Sequence, residues 1–171
     1  MGSGPSQANA ARRRNAIIFF AIFLSLLLID QASKAFFESF ELGAQIAGPF
    51  LGIVDITLVH NTGAAWGMLD DMTMLLGVLS LIVCVAAILY LFVFAPESSP
   101  LAAVGLSLVV AGGIGNALDR FMNMYVIDFI RPVFIDFPVF NVADIGVTCG
   151  CIIFLISLII EWFSGSREME E

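Results

Sequence analysis

The sequence predicts an integral membrane protein, mainly α-helical, with four transmembrane helices and a small β-rich subdomain on the outer side of the membrane. Of its 171 residues, 60% are hydrophobic and only 13% are charged, whereas soluble domains have roughly 45–50% and about 25%. Four apolar runs approach or exceed the length of about 20 residues that crosses a bilayer. Two further segments are rich in β-branched and aromatic residues interrupted by Gly and Pro, which is typical of strands.

The four spans and the segments between them make up one membrane domain, residues 1–171. The spans are predicted at approximately 15–36, 72–95, 100–119 and 141–163. The β-rich segments are predicted at approximately 43–71 and 121–140, and the tails at 1–14 and 164–171. Because only the short loop "APESSP" joins the second and third spans, these two helices are expected to form an antiparallel hairpin.

A basic cluster at the N-terminus predicts the orientation in the membrane. Arg12, Arg13 and Arg14 directly precede the first span, which favours a cytoplasmic N-terminus. Four spans then return the C-terminus to the cytoplasm. Charge bias elsewhere is weak, so the prediction depends on this triplet of arginines.

Composition also excludes several classes of site. Seven basic residues without a basic stripe argue against nucleic-acid binding. Cys84, Cys149 and Cys151 lie in apolar runs without a CxxC motif, and His60 is the only histidine, so a structural zinc site is not expected. The cysteines are predicted to be buried as small hydrophobic side chains. Cysteine catalysis is disfavoured because no exposed thiol is expected.

Polar residues from separate parts of the chain gather at the outer ends of the predicted spans. They are Asp30, Lys34, Asn61, Asn116, Asp119, Arg120, Asp128, Asn141 and Asp144. Ionisable side chains at membrane depth are costly and therefore suggest a functional site.

Structural explanations exist for some of these residues. Asp30 and Lys34 have the i, i+4 spacing of a helical ion pair, and Lys34 could extend its ammonium group to the interface instead. Asn116, Asp119 and Arg120 lie on one helical face, where packing and capping would explain them equally well.

Three aspartates recur at steps of eight in "YVIDFIRPVFIDFPVFNVADIG": Asp128, Asp136 and Asp144. Asn141 and Asp144 fit a helix capping box, which would explain Asp144 without catalysis. Asp136 lies in a connecting turn, where aspartate is ordinary. Asp128 has no such explanation, because it lies within a predicted strand between two apolar residues.

The residue types limit the chemistry to acid–base catalysis by carboxylates. Ser33 and Lys34 point about 100° apart on a helix, which argues against a Ser–Lys dyad. His60 has no identifiable serine and acid partners. Two carboxylates held close together share a proton, so that one acts as acid and the other as base. Such a pair can direct water onto a peptide carbonyl.

Five motifs in this order, "DQASK", "NTGAAWG", "GGIGNALDR", "VIDFI" and "FNVAD", resemble the prolipoprotein signal peptidase family, also called signal peptidase II. The resemblance extends from about Arg12 to Phe163. It implies a bacterial inner-membrane aspartyl endopeptidase, which removes the signal peptide of lipoprotein precursors just before a cysteine that carries a diacylglyceryl group.

The resemblance implies that Asp128 and Asp144 are the catalytic pair. The other motif residues are expected to shape the site or position substrate: Asp30, Lys34, Asn61, Gly63, Trp66, Asn116, Asp119, Arg120 and Asn141. Asp119 is the competitor for a catalytic role, and we expect it to be structural, bonded to a neighbouring motif residue or to Arg120. Asp136 lies in "FIDFPVFN", where the chain departs from the family pattern, so no role is expected for it.

The implied partners are lipid-modified prolipoproteins and membrane lipid, with no metal or organic cofactor and a monomeric enzyme. The site is expected at the outer face, with Trp66 at headgroup depth. The alternative is a small transporter or channel whose acids bind ions or protons. It is disfavoured because such a site should lie near the midplane, whereas these residues lie at the ends of spans. An inactive relative is a further alternative that the intact motifs do not support.

Overall fold

A computed structural model describes residues 5–64, 68–69 and 71–168 of the chain. Its helices are α1 (Pro5–Phe37), α2 (Thr73–Leu89), α3 (Pro100–Asn123) and α4 (Val142–Glu168), and α2 continues into one π-helical turn over Tyr90–Phe94. Its strands are β1 (Gln45–Phe50), β2 (Val54–Asn61) and β3 (Val126–Pro132). The predicted fold class, four membrane helices with a small sheet, is confirmed.

Helix α3 forms the centre of the bundle. All four helices are long and apolar enough to cross a membrane, but 72% of the most apolar stretch of α3 is buried, against 11% for α1 and 22% for α2 and α4. Helices α1, α2 and α4, which surround α3, therefore expose most of their apolar surface, as lipid-facing helices do.

Small residues let α3 and α4 approach closely. A Cβ added to Gly105 would lie 2.7 Å from the backbone nitrogen of Phe154, and one added to Gly150 would lie 2.6 Å from the carbonyl oxygen of Gly105. Neither position has room for a larger residue. Dispersion contacts between close backbones are a main source of helix association in lipid, where the hydrophobic effect between helices is absent.

Asn15 connects α1 to the loop between α2 and α3. Asn15 is fully buried and donates from Nδ2 to the carbonyl oxygens of Pro96 and Ser98, at 3.3 and 3.0 Å. Ser99 caps α3 by accepting a bond from the backbone N–H of Ala102 at 3.2 Å. The bonds from Asn15 fix the short α2–α3 connection against α1.

The sheet is antiparallel, with strand order β1-β2-β3. The register of β2 and β3 runs from Val54 opposite Pro132 to Asn61 opposite Val126. The sequence did not indicate β1 as a separate strand, and only six residues, Gly48 and Pro49 among them, form it.

One face of the sheet packs on the end of α1. The rings of Phe37 and Phe129 stack with centroids 4.2 Å apart, and Leu58 and Ile127 complete this small core. This contact attaches the sheet to the helix bundle and fixes the position of β3.

The prediction for the cysteines is correct only for Cys84, which is buried. Cys149 and Cys151 are exposed on α4, so the prediction for them was wrong. The reason is that an apolar face in a membrane protein contacts lipid as favourably as it contacts protein. Apolar sequence surroundings therefore do not distinguish the two environments.

Candidate active site

The predicted polar residues come together at one end of the bundle. Helices α1 and α3 end there, α4 begins there, and the paired strands β2 and β3 lie against them. Six of these side chains are almost fully buried: Asp30, Lys34, Asn116, Asp119, Asp128 and Asn141. This region holds four carboxylates and two cations. The hydrogen bonds and ion pairs of each carboxylate therefore indicate whether it has a structural role or is accessible for catalysis.

Lys34 stands at the centre of the buried part. Its Nζ lies 3.0 Å from a carboxylate oxygen of Asp30, 3.0 Å from one of Asp119, and 2.9 Å from Oδ1 of Asn116. All three ammonium protons thus have acceptors. The side chain is 1% exposed, which excludes the alternative that Lys34 extends to the interface.

Asp30 links α1 to both α3 and α4. Besides its ion pair with Lys34, its Oδ1 accepts a bond of 3.0 Å from the backbone N–H of Ala143, in the first turn of α4. A carboxylate is favoured there by the free N–H groups of the helix N-terminus. Its Oδ2 lies so close to α3 that a Cβ on Gly115 would be 2.5 Å away. The glycine of "GGIGNAL" therefore makes room for Asp30.

Asp119 has a structural set of partners. Its Oδ2 accepts bonds from Lys34 and, at 3.2 Å, from the backbone N–H of Ile127 at the start of β3. The other carboxylate oxygen of Asp119 lies 3.5 Å from Nε2 of Gln31. Gln31 belongs to "DQASK" but was not predicted as a site residue, and its Nε2 also donates to Oδ2 of Asp30 and to the carbonyl oxygen of Gly115, at 3.1 and 3.3 Å. Asp119 thus holds β3 to the bundle, in agreement with a bond to another motif residue.

Asn141 and Asp144 form the capping box at the start of α4. The backbone N–H of Asp144 donates to Oδ1 of Asn141, and the backbone N–H of Asn141 donates to Oδ2 of Asp144, both at 3.0 Å. The second oxygen of Asp144 accepts a bond of 2.7 Å from Nδ2 of Asn116. Asp144 is not limited to capping the helix, because its side chain also lines a cavity and is accessible there.

Asp128 is held from two sides. Asn141 donates from Nδ2 to its Oδ1 at 2.7 Å, and Asn61 donates from Nδ2 to its Oδ2 at 2.9 Å. Asn61 is itself oriented, because its Oδ1 accepts a bond of 3.0 Å from the backbone N–H of Gly63. Each oxygen of the carboxylate therefore has a fixed amide donor.

A cavity of about 510 Å³ brings the two aspartates to one surface. Asp128 and Asp144 line it together with Asn61, Gly63 and Arg120, and its apolar wall includes Phe137, Phe140 and Ile145. Asn116 and Asn141, which bond to each other at 3.0 Å, join the two carboxylates behind the cavity. Trp66, also predicted to shape the site, lies outside the residues that the structure describes.

Burial and charge change the acidity of Asp128. Removal from water, followed by the nearby negative charge of Asp144, raises its pKa to about 7. The bonds from Asn61 and Asn141 and the charge of Lys34 oppose this rise without reversing it. A substantial fraction of Asp128 is therefore protonated near neutral pH, whereas an ordinary aspartate is almost fully ionised there.

Arg120 lines the same cavity as Asp128 and Asp144. Its Nη1 is 3.5 Å from the carbonyl oxygen of Asn116, and its buried Nε has no hydrogen-bond partner within the part of the chain that the structure describes. Because Arg120 lines the cavity, its positively charged guanidinium is suited to a carbonyl or ester oxygen of a ligand.

The equally spaced Asp136 does not join the site. It is exposed in the connection between β3 and α4 and does not line the cavity, although the next residue, Phe137, does. Two clusters that the sequence did not indicate lie on the sheet. Asp55 accepts bonds from Arg131 and from Thr57, and the bond from Arg131 lowers the pKa of Asp55. Glu38 contacts His60 and Tyr125.

The bundle with its acidic cluster belongs to the class of integral membrane aspartic peptidases. The family model described as Signal peptidase (SPase) II matches residues 22–160, and the chain belongs to this family. A lipoprotein signal peptidase of Streptococcus pneumoniae is 36% identical over 155 residues, 90% of this chain and 99% of the relative. One of Enterococcus faecalis is 37% identical over 150 residues, 86% of this chain and 91% of the relative.

Two solved structures of bacterial membrane enzymes have a similar fold. A bacterial membrane enzyme determined by the in meso method at 2.3 Å resolution is 29% identical, with a TM-score of 0.77 over 84% of this chain and 88% of that chain. A second such enzyme, at 1.9 Å resolution, is 30% identical with a TM-score of 0.73 over 82% and 91%. The predicted family and the fold are confirmed, and the chain is a bacterial multi-pass membrane protein.

Proposed function

We propose that this protein cleaves the signal peptide from diacylglyceryl-modified prolipoproteins immediately before the lipidated cysteine, with Asp128 and Asp144 as the catalytic pair. Membership of the signal peptidase II family and the lipoprotein signal peptidases among its relatives support this substrate class. The observation that carries the assignment of the pair is that both carboxylates line one cavity and are joined behind it by Asn116 and Asn141.

The two carboxylates have environments suited to different roles. Asp128 holds the shared proton near neutral pH and is the acid of the first step. Asp144 lies in the first turn of α4, where a backbone N–H and the amide of Asn116 stabilise its negative charge, and it is the base. In the first step Asp144 takes a proton from water. The water oxygen bonds to the peptide carbonyl carbon, and Asp128 gives its proton to the carbonyl oxygen.

The second step reverses both proton transfers. Asp128 takes a proton from one hydroxyl of the tetrahedral diol, and Asp144 gives its proton to the peptide nitrogen. The C–N bond breaks, which releases a carboxylic acid and an amine, and each aspartate regains its initial protonation state. No covalent enzyme intermediate is formed.

The surroundings of the cavity suit a lipid-bearing substrate. Its apolar wall includes Phe140 and also Phe137 and Ile145, both of which are exposed, and Ile145 belongs to α4, most of whose other apolar side chains face outward. Acyl chains can therefore remain in the bilayer while the peptide bond reaches the aspartates. The guanidinium of Arg120 lines the same cavity, where its positive charge can bind a carbonyl oxygen of the substrate.

We place the site at the outer face of the bacterial cytoplasmic membrane, with both termini in the cytoplasm. The arginines before the first span support this orientation, and the polar cluster lies at the opposite end of α1 from them. We propose that the enzyme works as a monomer, because residues of one chain supply both aspartates and the amides that hold them.

The test is cleavage of a purified diacylglyceryl-modified prolipoprotein in detergent or proteoliposomes. Asp128→Asn and Asp144→Asn should each accumulate uncut precursor, with a loss of at least about 1,000-fold in kcat, because one carboxylate cannot serve as both acid and base. Asp136→Asn, which removes an exposed aspartate of the same segment, is the matched control and should keep wild-type activity.

Folding is checked by thermal unfolding of each variant in the same detergent. Substantial cleavage by folded Asp128→Asn or Asp144→Asn would refute the assignment of the pair. Loss of activity in Asp119→Asn is expected to accompany lower stability, because this side chain holds Lys34 and β3.

A further inference from the structure

Glu38 makes two hydrogen bonds outside the proposed active site. Its Oε1 accepts a bond of 2.7 Å from the hydroxyl of Tyr125, and its Oε2 lies 3.1 Å from Nε2 of His60. The bond from Tyr125 raises the pKa of that phenol, so Tyr125 keeps its proton and stays a donor. We call these three residues the Glu38 clamp.

The clamp ties three elements together. Glu38 follows α1 directly, and its backbone N–H still bonds to the carbonyl oxygen of Lys34, one turn earlier. His60 belongs to β2 and Tyr125 immediately precedes β3. The rings of His60 and Tyr125 stack with centroids 3.8 Å apart and planes 14° apart. The clamp thus fixes the β2–β3 pair to the end of the helix that carries Lys34.

The clamp lies next to the donor that holds Asp128. Asn61 follows His60 in β2 and is opposite Val126, which follows Tyr125. Adjacent strand residues point to opposite faces of a sheet, so His60 faces Glu38 while Asn61 faces the cavity and donates to Asp128 at 2.9 Å. A shift of β2 at His60 would therefore move Asn61 relative to Asp128.

We infer that Glu38 is a positioning residue of the peptidase: through His60 and Tyr125 it holds β2 and β3 so that Asn61 stays bonded to Asp128. The inference rests on the proposed catalytic role of Asp128. Glu38 itself is not among the residues that line the cavity, so its contribution acts through the strands and not on the substrate.

The consequence is a measurable change in the pH profile. The groups that face Asp128 are Asp144 of α4, Lys34 of α1 and Arg120 of α3, besides the amides of Asn61 and Asn141. Lys34, Asn141 and Asn61 each stabilise the ionised form of Asp128, and among them the clamp acts on the Asn61 bond. Its loss makes the proton leave at higher pH, so the alkaline limb of kcat against pH moves upward.

The experiment compares full-length variants in the prolipoprotein cleavage assay, from pH 5 to 9. Glu38→Ala should lower kcat about tenfold, the effect of one weakened bond to a charged group. It should also move the alkaline limb up by about 0.5 pH unit, with KM changed less than twofold. Asn61→Ala should shift the limb in the same direction and further. Tyr125→Phe, which deletes only the hydroxyl, should give a smaller shift of the same sign.

Two controls separate positioning from general stability. Glu38→Gln keeps an acceptor for Tyr125 and should restore most of kcat and of the limb. Glu41→Ala removes an exposed carboxylate three residues further along the same segment and should match the wild type. Wild-type kcat and pH profile in folded Glu38→Ala and Tyr125→Phe would overturn the inference, as would a lower kcat with an unmoved limb. Activity in Asp128→Asn would instead refute the proposed function on which the inference rests.

Discussion

The side-chain amide of Asn141 bonds to Asp128 and to Asp144: its Nδ2 donates to Oδ1 of Asp128 at 2.7 Å, and its Oδ1 accepts a bond from the backbone N–H of Asp144. One amide thus contacts both aspartates of the proposed pair, one through each end. Its nitrogen must face Asp128, because its oxygen is occupied by the helix cap. This relationship leads to the first prediction.

Asn141→Asp should abolish most activity near pH 7 although the shape of the side chain is preserved. The new carboxylate can still cap α4, but it replaces a donor to Asp128 by a negative charge. We expect a loss of at least about 100-fold in kcat at pH 7, as for the removal of a preorganised donor from an active site. The measurement is prolipoprotein cleavage against pH. Activity within tenfold of the wild type at pH 7 would contradict the prediction.

Asp128→Asn should stabilise the fold at alkaline pH and not at acidic pH. The pKa of Asp128 is raised from an ordinary 3.8 to about 7, mainly by burial. The unfolded chain therefore loses this proton first, and the free energy of unfolding of the wild type falls as the pH rises from about 4 to about 7. Below about pH 4 both states are protonated and the variant gains nothing.

The expected gain of Asp128→Asn at pH 8 is on the order of 2–4 kcal/mol, since one pKa unit corresponds to about 1.4 kcal/mol. It is measured as the difference in thermal midpoint between variant and wild type at pH 4 and pH 8, in one detergent. Asp136→Asn serves as the control and should show no such difference. An equal gain at both pH values would show that burial of charge is not the cause.

Lys34→Met should strongly destabilise the bundle. The substitution keeps the length of the side chain but leaves the buried carboxylates of Asp30 and Asp119 without their shared cation. Breaking a buried ion pair from one side costs about 3–5 kcal/mol. Thermal unfolding measures this loss, and Arg12→Met, in the exposed basic triplet, is the control for loss of a positive charge.

The double variant Lys34→Met with Asp119→Asn tests the same cause from the other side. It removes one of the two carboxylates that the single variant leaves unpaired, and we expect it to recover part of the lost stability. A double variant less stable than the single one would contradict the view that unpaired charge is responsible.

Gly115→Ala should impair the site through Asp30. The added Cβ would lie 2.5 Å from Oδ2 of Asp30, a distance at which one of the two groups must move. Because Asp30 also caps Ala143 in the first turn of α4, the displacement should reach Asp144. We expect a fall in kcat of about tenfold or more together with a lower thermal midpoint. Wild-type kcat in this variant would show that α4 does not depend on Asp30 for its position.

Much of this protein follows from local sequence patterns. The length and apolarity of the four runs predict membrane helices, because a bilayer imposes both properties on any spanning helix. The spacing of Asn141 and Asp144 predicts their capping box, and that of Asp30 and Lys34 predicts their ion pair, since both depend on helical geometry alone. The motifs also indicated the family, which the comparisons with relatives confirm.

Other features depend on which distant segments meet, and the sequence did not indicate them. Glu38, His60 and Tyr125 are separated by 22 and 65 residues in the chain, and only the packing of the sheet against α1 makes them neighbours. The exposure of Cys149 depends on which stripe of α4 faces α3. The even spacing of Asp128, Asp136 and Asp144 did not indicate which of them line the cavity, because that depends on how the strand, the connection and the helix fold together.

The sequence by itself determined the membrane helices, the family and the small set of polar residues from which a site is built, because these follow from local chemistry and motif order. Only the tertiary structure decided the donor that each carboxylate oxygen receives, which aspartates share the cavity, and how far burial raises the pKa of Asp128. The physical reason is that the acidity of a buried carboxylate depends on burial, charge and hydrogen bonds at distances of a few ångströms. These neighbours come from α1, α3, α4 and two strands, and they meet only in the folded chain.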